Sequence, residues 1–307
     1  MNDTKDSIWP HRFYLRSALP IRVPTVRFIS SPDAPVASAL TAHRQQLWQM
    51  YLDARDTLWL PTDLELEADT RDWLTSMSES EKWIVTRALG FFATVDGLIA
   101  DNIITRFSQE VAYIEAKYFY GLQVVVEHIH SETYAKLINA LIPDEEEQSV
   151  LLTWSTTVPS IAFKNIWVLK WIVDDSRTFA ERLAAFICVE GIFFSSCFAL
   201  LSWIKSNGKM PGLSAVNDLI SKDENRHLDF ACALFRRIRS PPSSSAILET
   251  VRDAVDVETD FAMDMLSVPG HNISLQDIHQ YIRFVANRLL VKMGYGVAYV
   301  ADNPVTN

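Results

Sequence analysis

Glu127-His128-Ile129-His130-Ser131-Glu132-Thr133-Tyr134 is the stretch whose reading decides the fold. It lies in a Pro-free segment with helical periodicity, Glu115 to Leu141. On a helix, residues three and four apart share a face. Glu127, His130 and Tyr134 therefore stack along one stripe, while His128 and Glu132 point elsewhere. Phe119, Tyr120, Val124 and Val126 make the same helix apolar on more than one side. A carboxylate and an imidazole on the inward stripe of such a helix are costly to bury alone. The rest of the chain must supply partners.

The second half does so. Asp223-Glu224-Asn225-Arg226-His227 repeats the Glu-x-x-His spacing at Glu224 and His227. Between the two motifs, Arg182 to Leu201 carries Glu190 as its one charge after Arg182; before them, Ala88 to Ala100 carries Asp96 as its one charge. The order is acid, Glu-x-x-His, acid, Glu-x-x-His. Asp96 precedes Glu127 by 31 residues and Glu190 precedes Glu224 by 34. Four helices that each contribute one part of this set form the carboxylate-bridged dinuclear site of ferritin-like bundles, here with Asp in place of one Glu.

One Glu-x-x-His is a weak signal, since most such pairs face solvent. Two of them, with single acids isolated in apolar runs, make a strong one. Asp96 has Phe92, Val95 and Ile99 as neighbours, and neither Arg87 nor Arg106 lies within four residues of it. Asp101 is the rival acid, but Asn102 beside it suggests a polar edge. A buried, unpaired Glu190 would be rare without a further role. Four carboxylates and two imidazoles suit iron or manganese and lack the thiolates of structural zinc sites. Tyr134 stands one turn beyond His130, roughly 6 Å along the axis. Its ordinary reading is a core aromatic. Glu190, Phe194 and Phe198 share a stripe, and Ile220 lies one turn before Glu224. If these stripes converge, Tyr134 sits in a dry pocket beside the metals.

Composition limits the alternatives. Of 307 residues, 49% are hydrophobic, enough for a sizeable core, and the formal net charge of −10 argues against broad binding to nucleic acid. Cys188, Cys197 and Cys232 have neither zinc-ligand nor disulfide spacing and read as buried free thiols. With no apolar signal core at the N-terminus, they point to a reducing, cytoplasmic location. Leu183 to Ile204 is long enough to span a bilayer. A helix buried on all sides is preferred, because Glu190 finds its partners in the ligand set.

The chain reads as all-α. Residues 1–40, with five prolines, are expected to form an extended arm, and residues 41–307 one ferritin-like helical domain. Helices are expected from Thr41 to the break at Trp59-Leu60-Pro61, from a capping box at Ser78-Glu79-Ser80-Glu81 to about Phe107, and from Glu110 to Leu141. Further helices are expected at Asp144, around Trp167–Trp171, and over Phe179–Trp203, Leu213–Ile238, Ala246–Leu266 and Leu275–Tyr295.

These residues resemble the small, radical-generating subunit of class I ribonucleotide reductase in its eukaryotic-like form. Besides the octapeptide, the resemblance is carried by Arg106-Phe-Ser-Gln-Glu-Val111, Phe119-Tyr-Gly-Leu-Gln123, Val189-Glu-Gly-Ile-Phe-Phe-Ser195, Met210-Pro-Gly-Leu213, Asn217-Asp-Leu-Ile-Ser-Lys-Asp-Glu224, His227-Leu-Asp-Phe-Ala231 and Tyr281-Ile-Arg-Phe-Val-Ala-Asn-Arg288. It covers most of residues 44 to 303. It implies that Asp96, Glu127, His130, Glu190, Glu224 and His227 hold two iron ions, with manganese as the alternative. It implies a stable radical on Tyr134, an apolar pocket of Phe194, Phe198 and Ile220, and a route out through His130, Asp223 and Trp59. It further implies a homodimer, or a heterodimer with a related small subunit. That dimer would serve a separate large subunit that reduces ribonucleoside diphosphates.

The sequence also departs from the family. Lys222 stands where relatives often have Arg, and Leu58-Trp59-Leu60-Pro61-Thr62-Asp63 matches loosely. Relatives continue beyond the position of Asn307 with a tail that docks on the large subunit. A chain ending there is expected to keep radical generation, while coupling is open. A di-metal oxidase without a stable radical, and a regulatory homologue, are the competing readings.

Overall fold

The capping box at Ser78 opens the helix that forms one wall of the site. In the computed structural model, which describes residues 42–302, Ser78 Oγ accepts the Glu81 backbone N–H, and the Glu81 carboxylate accepts the Ser78 N–H at 2.8 Å. Helix α1 (Ala42–Arg55) precedes it, then α2 (Glu67–Thr75) and α3 (Glu79–Asn102). The long central helix is α4 (Ile114–Leu141), followed by α5 (Glu145–Leu152) and α6 (Pro159–Val173). Then come α7 (Phe179–Gly191), α8 (Ser195–Ser206), α9 (Pro211–Phe235), α10 (Ser244–Met265) and α11 (Leu275–Met293). The described residues contain no strand. The arm expected over residues 1–40 lies outside them.

Four helices enclose the centre. α3 packs along α4 and α7 along α9, while α6, α8, α10 and α11 back them with a continuous apolar core. Phe91, Phe107, Phe119, Phe193, Phe194, Phe230 and Phe261 are almost wholly buried in it. Two stretches, Glu79–Glu110 and Phe179–Ser206, are long and apolar enough to cross a membrane, but 67% and 83% of their apolar windows are buried among the protein's own helices.

The structure differs from the periodicity in four places. α3 does not run smoothly to Phe107: Ile103–Phe107 is a widened turn, and Ser108 Oγ bonds back five residues to the Ile103 carbonyl at 2.8 Å. α4 starts at Ile114, not Glu110, because Val111 and Tyr113 are extended. α7 and α8 are two helices. At the join the Phe193 N–H reaches back to the Cys188 carbonyl and the Ser195 N–H to Ile192, so the regular ladder is lost. Finally, α2 has no counterpart in the expected helices. It is a polar helix whose apolar periodicity is weak, and its use is local. Asp69, fully buried, accepts the backbone N–H groups of Gly212 and Leu213 at 2.8 and 2.7 Å, and Asp72 accepts that of Met210. These carboxylates cap α9 from outside, where backbone donors lack intrahelical partners. Gly212 is required by this approach, since a Cβ there would lie 2.7 Å from the Glu65 carbonyl oxygen.

Candidate metal centre

α4 and α9 face each other with their Glu-x-x-His motifs level, and both imidazoles turn Nδ1 inward. His130 Nδ1 lies 3.1 Å from Glu224 Oε1, 3.6 Å from Glu127 Oε2 and 3.9 Å from Asp96 Oδ2. His227 Nδ1 lies 3.1 Å from Glu127 Oε1, 3.2 Å from Glu224 Oε2 and 3.7 Å from Glu190 Oε2. Glu127 and Glu224 thus each touch both histidines, while Asp96 closes one end and Glu190 the other. Two overlapping sets emerge with atoms close enough to share an ion: Asp96, Glu127 and His130, and Glu127, Glu190, Glu224 and His227. All six residues are buried. Neither arginine weighed for Asp96 reaches it: Arg87 pairs with Asp264 and Arg106 with Asp175 and Glu110. Asp101 is exposed.

The donor set fits two cations. Asp96 Oδ1 and Oδ2, Glu127 Oε2, His130 Nδ1, Glu190 Oε2 and Glu224 Oε1 are buried and lack a well-formed hydrogen bond. Such groups are rare unless something else satisfies them. Burial, then the neighbouring carboxylates, holds the Asp96 and Glu190 carboxyls well above the ordinary range. Burial acts the other way on the imidazoles, but the surrounding carboxylates prevail and raise both His130 and His227 well above theirs. Burial would raise Glu224 too, yet His227 and His130 pull it far below the usual value. A site that binds protons this tightly favours any positive charge, and metal ions would displace those protons.

Tyr134 is 1% exposed, and its hydroxyl has no hydrogen-bond partner among the described residues. Burial first, then the charges of Asp96, Glu224 and Glu127, keep the phenol protonated far above its ordinary range. Phe198 and Ile220 line with it a cavity of about 10 Å³, at the lower limit for one water. Phe194 approaches through Phe92, which stacks on Tyr134 at 4.9 Å and on Phe194 at 5.7 Å. Beside His130, Asp223 Oδ2 accepts the Trp59 indole N–H at 2.7 Å and stands 3.4 Å from His130 Nε2.

Three residues at the site fall outside the sequence-derived set. Gln123, one turn before Glu127, donates to Glu190 Oε1 at 2.9 Å. Phe92 separates Tyr134 from Phe194. Arg226 donates to Asp223 Oδ1 at 2.6 Å. The helical spacing Gln123–Glu127 and Phe92–Asp96 held the signal for the first two, and Asp223–Arg226 for the third.

The sequence model of the family "Ribonucleotide reductase, small chain" matches residues 39–304. A ribonucleoside-diphosphate reductase small subunit of Arabidopsis thaliana is 42% identical over 262 residues, covering 85% of this protein and 79% of its own length. One from Saccharomyces cerevisiae is 41% identical over 259 residues, covering 84% of this protein and 65% of its own length. The solved Rnr4 homodimer of that yeast superposes with a TM-score of 0.80 at 30% identity, covering 91% of this protein and 85% of the yeast polypeptide. With a matching sequence over most of its length and the same helical frame, the protein belongs to the ribonucleotide reductase small-chain family.

Proposed function

We propose that the protein generates a radical on Tyr134 and passes it to a large catalytic subunit that makes deoxyribonucleotides. The observation that carries this reading is the sharing of Glu127 and Glu224 between His130 and His227, with Asp96 and Glu190 closing the ends. Asp96, Glu127 and His130 would hold one ion and Glu190, Glu224 and His227 the other. Oxygen-rich ligation with two imidazoles suits iron, and manganese is the alternative. When bound, the pair supplies the oxidising equivalent, drawn from O2, that side chains cannot generate.

The chain's own groups do the rest. Tyr134 would supply one electron and its phenolic proton, both taken up in the reduction of O2 to water. Phe92, Phe194, Phe198 and Ile220 keep water and reductants from its ring. His130, Asp223 and Trp59 form a hydrogen-bonded line from the centre towards the half-buried indole, along which the hole leaves. The small-chain family works with a large subunit, and the yeast Rnr4 relative is a homodimer. We infer the same pairing here, with a related small subunit as the second possible mate. The three buried free thiols support a cytoplasmic site of action.

The test is direct. Metal-free protein is loaded anaerobically with iron(II), O2 is admitted, and electron paramagnetic resonance is recorded. A tyrosyl signal in the parent, absent from Tyr134→Phe with iron uptake unchanged, is expected. Iron uptake with no radical in the parent would make the protein a di-metal oxidase, and a radical persisting in Tyr134→Phe would displace the assignment.

A further inference from the structure

Outside the centre, one cluster of charged side chains is buried as deeply as the ligands themselves. Lys164 on α6 and Glu258 on α10 are both 0% exposed, with Nζ 2.8 Å from Glu258 Oε2. A buried ion pair is by itself weak evidence of stabilisation, since desolvation offsets most of the attraction. What matters is where its remaining hydrogen bonds go. They go to the join between α7 and α8. Lys164 Nζ donates to the Phe193 carbonyl at 2.5 Å, and Glu258 Oε1 accepts the Ser196 N–H at 3.0 Å and also its hydroxyl. These are backbone groups that a broken helix leaves without ladder partners. The pair therefore satisfies one orphan on each side of the break.

The join carries chemistry on both sides. Glu190 lies three residues before Phe193, at the end of α7. Phe194 and Phe198 lie just after, at the start of α8. The angle across the break fixes where the Glu190 carboxylate points relative to the phenylalanines around Tyr134. The ammonium is also sandwiched, 3.5 Å from the Phe91 ring centre and 3.8 Å from that of Phe261. Phe91 in turn packs against Phe194 at 5.6 Å. Lys164 thus reaches Phe194 through Phe91, and Glu258 holds Ser196, the second residue after Phe194.

We propose that Lys164 and Glu258 are positioning residues: they clamp the α7–α8 break and so set Glu190 and the Phe194–Phe198 wall in register. The proposal deepens the reading above and rests on it for the radical, but not for metal binding.

Two neutral double variants separate a clamp from a merely stabilising pair. Lys164→Met/Glu258→Gln removes both charges and keeps an acceptor for Ser196. Lys164→Met/Glu258→Leu removes both charges and both anchors. Three quantities are measured on each: the urea midpoint of the metal-free protein, anaerobic manganese(II) affinity and stoichiometry by calorimetry, and the hyperfine pattern and half-life of the radical after iron(II) and O2. The Leu variant should bind its weaker manganese ion about tenfold or more less tightly than the parent. It should also show an altered hyperfine pattern, because the Tyr134 ring settles at a new angle. The Gln variant should lie between. Equal, parent-like affinities in two folded variants would overturn the proposal, as would losses that follow the urea midpoint alone and rank the variants alike. Should the parent itself give no radical, the functional reading fails, and the manganese affinities still decide the clamp. If the Leu variant does not fold, Ser196→Ala, which removes one hydroxyl contact, replaces it. An unchanged manganese affinity there, together with a parent-like Gln variant, would count against the clamp.

Discussion

The Trp59 indole and the His130 imidazole lie nearly parallel, 6.1 Å apart with 25° between their planes, and the same Asp223 oxygen faces a nitrogen of each. Burial would raise the Asp223 carboxyl, but the hydrogen bonds from His130 and Trp59 hold it below the ordinary range. It is therefore a fixed anion between two donors, with Arg226 holding its other oxygen.

On the proposed reading, Trp59 serves as a conduit and not as a support for the metals. Trp59→Phe keeps the aromatic ring and loses the N–H. Metal uptake and the Tyr134 radical should match the parent. Deoxynucleotide formation with a large subunit should fall by more than about tenfold, about 1.4 kcal/mol in the transfer barrier. Equal loss of radical and turnover would show that Trp59 only supports the centre.

Gln123 acts one layer out from the ions. Its amide holds Glu190 Oε1, leaving Oε2 free to face His227. Groups that orient ligands in this way typically contribute about 10–100-fold in metal affinity. Gln123→Leu keeps the bulk and removes the donor. Manganese(II) titration should show one ion weakened by about that factor, with the urea midpoint almost unmoved.

The six-residue cluster was legible because Asp96 and Glu190 are single charges in apolar runs and the Glu-x-x-His spacing occurs twice, at Glu127 and at Glu224. The all-α fold followed from the same helices. What the sequence hid depends on contacts between distant segments. α2 is polar along most of its length, so no apolar stripe announces it; its Asp69 matters only because the start of α9 arrives there. The α7–α8 break comes directly after Gly191, in the apolar run Ile192-Phe193-Phe194, where no Pro or polar residue interrupts the pattern. The backbone groups it frees are met by a pair of charges on other helices, Lys164 and Glu258. Phe92 reads in the sequence only as a sign that Asp96 is buried, and its place between Tyr134 and Phe194 emerges when α3 meets α8.

Alkaline pH should expose the two buried phenols. Burial is the main reason that Tyr120 and Tyr134 both sit above the ordinary value of 10.0, with nearby carboxylates adding to it. Their contribution to stability is full below that pH, where folded and unfolded chains are both protonated. Above it, the unfolded chain releases protons that the folded chain keeps, so stability falls as pH rises. The slope is about 1.4 kcal/mol per pH unit for each phenol. Urea midpoints of the metal-free protein, measured between about pH 9 and 11, should fall less steeply for Tyr134→Phe. Parallel curves for the two proteins would mean that Tyr134 ionises freely in the folded state.

Phe92 should control the radical's surroundings more than its formation. It is 2% exposed and stacks on Tyr134 with 20° between the rings, so it covers one face of the phenol. Phe92→Ala removes a fully packed ring, at a cost of about 3–5 kcal/mol in stability. Loss of stability alone says nothing about the pocket, so a second variant is needed. Phe107 is 0% exposed and stacks on Tyr120 at 6.0 Å, in contact with neither Tyr134 nor its neighbours Phe194 and Phe198. Phe107→Ala should therefore lose similar stability and keep the parent's radical spectrum. Phe92→Ala, at equal iron loading, should give a radical with a changed hyperfine pattern, because the ring can rotate into the freed space. It should also decay faster when a small reductant is added, since the wall between Tyr134 and Phe194 is open. Identical spectra and decay rates in the two variants would assign Phe92 to packing alone and leave Phe198 and Ile220 as the side chains that shield the radical.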